Sequence, residues 1–268
     1  MASLAIPVLF AVFVWWFSTG LILLLDNLPR TTFRWSLVLS TAIALGALWG
    51  LVHTASQTGS AGAYCAFTCA LLVWGWHELT FLTGLVTGPR KTALPAGTVG
   101  VTRFVHAVQA ILWHELAIVV AGAAIVAITW GEPNQVGTWT FLVLWSMRTS
   151  AKLNLFLGVR NFSEEFLPAH LLYMQTYFRR RPMNGLFPVS VTASTIVATL
   201  MVSSAFAAPP ATAVGLMLAA TLLALAILEH WLLVLPLPAT ALWRWALRNP
   251  EPAPPPPHDV DNTLLHVR

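Results

Sequence analysis

The chain has 268 residues, of which 57% are hydrophobic and 9% charged, and its mean hydropathy is +0.73. A soluble domain is nearer a quarter charged, so a separate soluble domain is excluded. The net charge of +4 comes without the basic, aromatic-studded stripe that binds nucleic acid. The prediction is an all-α fold: a polytopic membrane protein with seven transmembrane helices plus an amphipathic interfacial helix.

Seven runs reach the roughly 20 apolar residues that a span needs. The first covers Leu4 to Leu25 and is read as a retained span, since no basic segment or small-residue cleavage site marks it as a signal peptide. The second runs from Trp35 to His53 and the third from Ala61 to about Val86. Breakers follow at Gly88-Pro89, Pro95 and Gly97. The fourth runs from Phe104 to Trp130, and the fifth, polar in its second half, from Thr138 to Gly158. The sixth covers Leu186 to Ala207 and the seventh Thr212 to Leu235. Cys65 and Cys69, one turn apart in the third run, read as small packing residues.

Between the fifth and sixth runs, residues 163–180 are predicted to form the interfacial helix. It is capped near Asn161 or Ser163, has Pro168 early, and is stopped by Arg179-Arg180-Arg181-Pro182. Residues 239–248, with Trp243-Arg244-Trp245, read as an interfacial anchor. Residues 1–248 thus form the membrane domain, and 249–268 a disordered, proline-rich tail.

Lysine and arginine are confined to alternate connections. Arg30, Arg34, Arg90, Lys91, Arg103, Arg160, Arg179–Arg181, Arg244 and Arg248 lie on one side, while the loops near 55–60, 131–137 and 208–211 have none. The positive-inside rule then places the N-terminus out and the C-terminus in.

A four-residue string occurs twice, Trp76-His77-Glu78-Leu79 and Trp113-His114-Glu115-Leu116, and Glu229-His230-Trp231-Leu232 reverses it. Ionisable groups inside spans are costly and mark sites. With this topology His77, Glu78, His106, His114, Glu115, Glu229 and His230 all fall in the cytoplasmic half. Arg148, Lys152 and Asn154 of the fifth span join them. Arg103, His106 and His114 share one helical face, as do Arg148 and Lys152. Asn161, Glu164, Glu165 and His170 are placed as supporting polar groups that lid this site from the cytoplasm.

Three chemistries fit. Histidine nitrogen with carboxylate oxygen suits iron or zinc, although adjacent His and Glu diverge by about 100° on a helix. An intramembrane histidine also ligates haem iron or a bacteriochlorophyll magnesium, with Trp76, Trp113 and Trp231 available to pack on the ring. The same charges can instead neutralise one another in a plain helix bundle. No His-Glu-x-x-His, P-loop or nucleophile elbow is present.

The stretch from Lys152 to Thr192, through Asn161-Phe162-Ser163-Glu164-Glu165 and Arg179-Arg180-Arg181-Pro182-Met183-Asn184, resembles the PuhE family. These are photosynthetic-complex assembly proteins of purple bacteria and related phototrophs, and the Trp-His-Glu-Leu copies resemble that family too. The resemblance implies a multi-pass protein of a bacterial inner membrane, in an anoxygenic phototroph, that assists assembly of the reaction centre and core antenna; the buried His/Glu/Trp site, read from the residues, is then where bacteriochlorophyll would be handled. The expected partners are the lipid bilayer and reaction-centre or core-antenna subunits. The alternative is a membrane metalloenzyme using a His/Glu site on a lipophilic pigment or isoprenoid.

Overall fold

The computed structural model describes residues 2–162, 167–237 and 239–247. Seven long helices follow one another: α1 (Ala2–Asp26), α2 (Phe33–Ala55), α3 (Ser60–Leu82), α4 (Gly100–Thr129), α5 (Val136–Leu157), α6 (Leu186–Ala207) and α7 (Pro210–Val234). Six are long and apolar enough to cross a membrane. The exception is α5, which carries Arg148, Lys152, Asn154, two serines and three threonines.

The polar helix α5 packs against α3, α4, α6 and α7, while α2 lies against α3 and α4, and α1 against α7 and α3. One apolar cluster joins Ala11, Phe67, Leu71, Met147 and Leu218 from α1, α3, α5 and α7. A second joins Leu51, Ala66, Trp74, Ile118 and Phe141 from α2, α3, α4 and α5. Both therefore share α3 and α5. Small residues let the backbones close up where lipid offers no hydrophobic drive. Cys69 Sγ, for instance, packs directly over Gly50, and neither cysteine is in a disulfide. The outer faces keep apolar side chains such as Leu9, Phe13, Trp35, Trp49 and Val120 exposed.

The lysine- and arginine-bearing connections meet at one end of the bundle. Arg90 Nε donates to Tyr177 OH (2.8 Å), Leu94 N to Thr176 Oγ1 (2.9 Å) and Asn161 N to the Leu233 carbonyl (2.9 Å). At the opposite end Asn134 N reaches the Ala55 carbonyl (3.0 Å) and its Nδ2 the Thr54 carbonyl (3.0 Å).

Four details depart from the sequence prediction. The third run was expected to reach Val86, but α3 stops at Leu82, where Gly84 takes a left-handed φ of 79°. The following residues fold back along α4: the Thr87 carbonyl accepts from His114 N (2.9 Å), and the Gln109 carbonyl from Arg90 N (3.3 Å). Gly88 lies against the Gln109 and Ala110 backbone, a place with no room for a side chain.

The element between α5 and α6 is a 3-10 helix over Ala169–Tyr177, not the predicted α-helix, and residues 163–166 lie outside the described ones. Its buried residues are Leu171, Met174 and Tyr177. That spacing of three is the period at which 3-10 side chains line up.

The arginine cluster is tied into the fold. Arg179 N donates to the Leu155 carbonyl (3.1 Å), and Arg181 N to the Val159 carbonyl (3.1 Å). The C-terminal aromatic segment docks on α1. There Trp16 Nε1 donates to the Leu242 carbonyl (3.0 Å) and Trp243 Nε1 to the Trp16 carbonyl (2.9 Å). Arg248 and the predicted tail, residues 249–268, lie outside the described residues.

Asn184 joins α5 to α6. Its Nδ2 donates to Asn154 Oδ1 (3.0 Å) and the Gly158 carbonyl (2.9 Å), and its Oδ1 accepts from Leu186 N (2.8 Å) in the first turn of α6. Asn184→Ala strands these buried groups. It should lower stability by about 2–3 kcal/mol, measured by denaturant titration of the detergent-solubilised protein, with Asn184→Asp intermediate because it keeps the acceptor.

Candidate functional site

The polar stripe of α5 meets each of the three His-Glu pairs. On the α3 side, Arg148 Nη2 lies 2.9 Å from Glu78 Oε2. On the α4 side, Lys152 Nζ lies 2.5 Å from Glu115 Oε1. On the α7 side, Ser150 Oγ lies 2.9 Å from His230 Nε2, and also 2.9 Å from Ser190 Oγ of α6. One turn further, Asn154 is fully buried and its Nδ2 donates to the Ser150 carbonyl (3.0 Å). The one-turn spacing of Arg148 and Lys152 lets a single helix face answer carboxylates from two neighbours. Glu229 has no ion pair among the described residues; it accepts a hydrogen bond from Trp15 Nε1 of α1 (2.8 Å).

The histidines divide into two groups. Both ring nitrogens of His77 face carbonyl oxygens, Nδ1 to Val73 (2.9 Å) and Nε2 to Ala117 (3.2 Å). The ring thus lies between the backbones of α3 and α4, and as a neutral imidazole it donates to one of the two carbonyls. His230 is held similarly. Its Nδ1 donates to the Ala226 carbonyl (2.9 Å), and its Nε2 faces Ser150 Oγ, whose hydroxyl donates to Ser190 Oγ.

His114 is different. It is 1% exposed, packs 4.5 Å from the Phe81 ring, and neither ring nitrogen has a hydrogen-bond partner. His106, half-buried on the same face of α4, also keeps Nδ1 without a partner. Arg103, on that face too, is consumed in packing. It donates to the Phe156 carbonyl (2.9 Å) and the Tyr177 carbonyl, and it lies 3.9 Å over the Phe156 ring.

The expected aromatic wall does not form. Trp76 Nε1 donates to Thr41 Oγ1 of α2 (2.9 Å), Trp231 stands edge-on to Phe187 of α6, and Trp113 is 52% exposed on the outer face. Among the described residues, no three His, Cys, Asp or Glu side chains are grouped to hold a metal ion. Asn161 closes α7, its Nδ2 donating to the Leu232 (3.0 Å) and Leu235 carbonyls. Glu164 and Glu165 lie outside the described residues.

His170 sits beside Gly84 at the basic end, away from the α5 stripe, and lines a cavity with Asp26 and Arg30. Burial holds its imidazole below the ordinary value of 6.5, and the Arg30 charge acts the same way. Burial likewise raises the Tyr173 hydroxyl. Trp15, Ser150 and Asn184 were missed from the sequence because each is a common residue made important only by a distant partner. Ser150 alone had a signal, lying midway between Arg148 and Lys152.

A family model described as "Protein of unknown function (DUF3623)" matches residues 1–253. The chain belongs to that family. It is 40% identical over 237 residues to an uncharacterized 30.4 kDa protein in the puhA 5' region of Rhodobacter capsulatus, an alignment covering 87% of this chain and 86% of that one. No solved structure matches the chain.

Two outcomes test this description of the family member's site. Glu115→Gln and Lys152→Met should each lower stability by about 3 kcal/mol. The double variant should lose clearly less than the two together, by about 1–3 kcal/mol. Strict additivity in the denaturant titration would mean that the pair is not coupled.

The second outcome concerns His170. Its depressed value favours the neutral ring in the folded state, so this contribution is complete above 6.5 and drains away as pH falls towards the folded value. Amide exchange over 169–177 should therefore quicken on acidification in the wild type and stay flat in His170→Gln. Equal acid sensitivity in both proteins would remove His170 as the cause.

Proposed function

We propose that this protein is a multi-pass inner-membrane assembly factor for the reaction centre and core antenna of an anoxygenic phototroph. In this reading α5 is a seventh crossing, the N-terminus is outside and the basic end faces the cytoplasm. The observation that carries it is the place of the relative's gene in the puhA 5' region. The resemblance of residues 152–192 to the PuhE family points the same way.

The geometry suits a scaffold. The stretch that carries the resemblance is bound into one unit by Asn154, Asn161, Arg103, Tyr177 and Asn184. This unit presents the arginine-rich connection at the basic end, where it would dock a partner subunit. Bacteriochlorophyll handling belongs to His114 and His106, the intramembrane imidazoles that keep nitrogens without partners. The metalloenzyme alternative gains no support, since no three-residue ligand group is assembled among the described residues.

The test is genetic and spectroscopic. Deleting the gene in its phototroph should cause a several-fold loss of assembled reaction centre and core antenna, read from the near-infrared absorbance of membranes, and the wild-type gene should restore it. Undiminished assembly in the deletion strain would sink the reading. Full restoration by a His106→Ala/His114→Ala double variant would remove the pigment role while leaving the scaffold role.

A further inference from the structure

Three ionisable residues point into the bundle along faces that are closed elsewhere. Glu78 of α3 lies seven and eleven residues after Leu71 and Phe67, Arg148 of α5 after Phe141 and Gly137, and Glu229 of α7 after Leu222 and Leu218. Offsets of seven and eleven bring a side chain back to within about 20° on an α-helix. All six of those earlier residues are buried. Phe67, Leu71, Leu218 and Leu222 belong to one packed cluster with Met147.

Towards the basic end the same faces open. The Arg148 side chain is 42% exposed and Glu229 is exposed, and the Arg148–Glu78 and Trp15–Glu229 contacts are themselves accessible. Inward-directed groups keep such surface where helices part around a space. Glu78 lies four residues from the end of α3 at Leu82, and Glu229 five from the end of α7 at Val234. The space is therefore a chamber next to the basic end, floored by the apolar cluster.

Its charges do not balance. Glu78 and Arg148 neutralise each other, and Lys152 is engaged by Glu115 on the α4 side. His230, beside Glu229 on α7, turns its ring to Ser150. Glu229 feels the charges of both Arg148 and Glu78, yet its hydrogen-bond partner is the neutral indole of Trp15. One carboxylate is left in excess at a depth where charge is costly, and a proton is the smallest ligand that removes it. We propose that Glu229 is a proton-binding site in a hydrated chamber that opens to the basic end and is sealed from the opposite end. Trp15 Nε1 donates to Oε1, so Oε2 takes a proton from chamber water and returns it there. The apolar floor makes this a one-sided loading site and not a conduit. The inference rests on α5 being a crossing and does not depend on the assembly role.

Unaltered protein in nanodiscs is treated with dicyclohexylcarbodiimide, an apolar reagent that modifies protonated carboxyls, and adducts are located by peptide mass spectrometry. Glu229 should be labelled about tenfold more than the ion-paired Glu78 and Glu115, and the labelling should fall as pH rises. Labelling of Glu229 no greater than that of either paired glutamate would overturn the proposal. Access is read in sealed vesicles, in a Cys65→Ala/Cys69→Ala background. A hydrophilic, membrane-impermeant thiol reagent on the side of the C-terminal segment should modify the Glu229→Cys variant and spare Leu218→Cys, on the same face. Reaction of both variants would make the chamber a through-channel. Reaction of neither, with carbodiimide labelling retained, would place Glu229 against lipid. Either result overturns the proposal, and the carbodiimide experiment decides even where a cysteine variant does not fold.

Discussion

Arg148 and Lys152 lie one turn apart on a helix packed against four apolar ones, and an unpaired charge among such helices costs several kcal/mol. Much of the bundle's arrangement answers that cost. α3 and α4 bring Glu78 and Glu115 to the two cations, and this fixes their rotation about α5. α7 turns His230 to Ser150, between the two ion pairs. Interhelical polar contacts of this kind are worth modest amounts singly, and they set register and facing more than total stability.

The two Trp-His-Glu-Leu copies do equivalent work through their carboxylates and different work through their imidazoles. Each Glu reaches a cation of α5. His77 is spent joining α3 to α4, whereas His114 has its main-chain N–H taken by Thr87 and its ring left without partners. The difference arises from the connection after α3. Gly84 turns it and Gly88 lets it lie on the backbone of α4 beside the second copy, and the first copy has no such neighbour.

Much of the fold was legible in the sequence because lipid imposes a simple rule of length and apolarity. The seven helices fall within a few residues of the seven runs, and the α6 limits coincide. α5 was read as the fifth apolar run, polar in its second half, and that polar half keeps it out of the six helices apolar enough to cross a membrane. Each of the three His-Glu pairs contacts α5.

Partner choice was not legible. Nothing local tells that Glu78 takes Arg148 while Glu115 takes Lys152, or that the His230 ring points to Ser150. The 3-10 form of residues 169–177 was not read from the sequence, whose mixed polar pattern resembled an interfacial α-helix. The Asp26 cavity could not be seen at all, since its walls come from segments more than a hundred residues apart.

The order of residues along the chain has a bearing on how the bundle is made. Glu78 precedes Arg148 by 70 residues, and Glu115 precedes Lys152 by 37. During synthesis the carboxylates of α3 and α4 thus emerge well before either counter-charge exists. α5 in turn is too polar to partition into lipid on apolarity alone. In the seven-crossing arrangement proposed above, α5 would enter as the partner of those carboxylates, and insertion would then require α3 and α4 to stay within its reach until it is made.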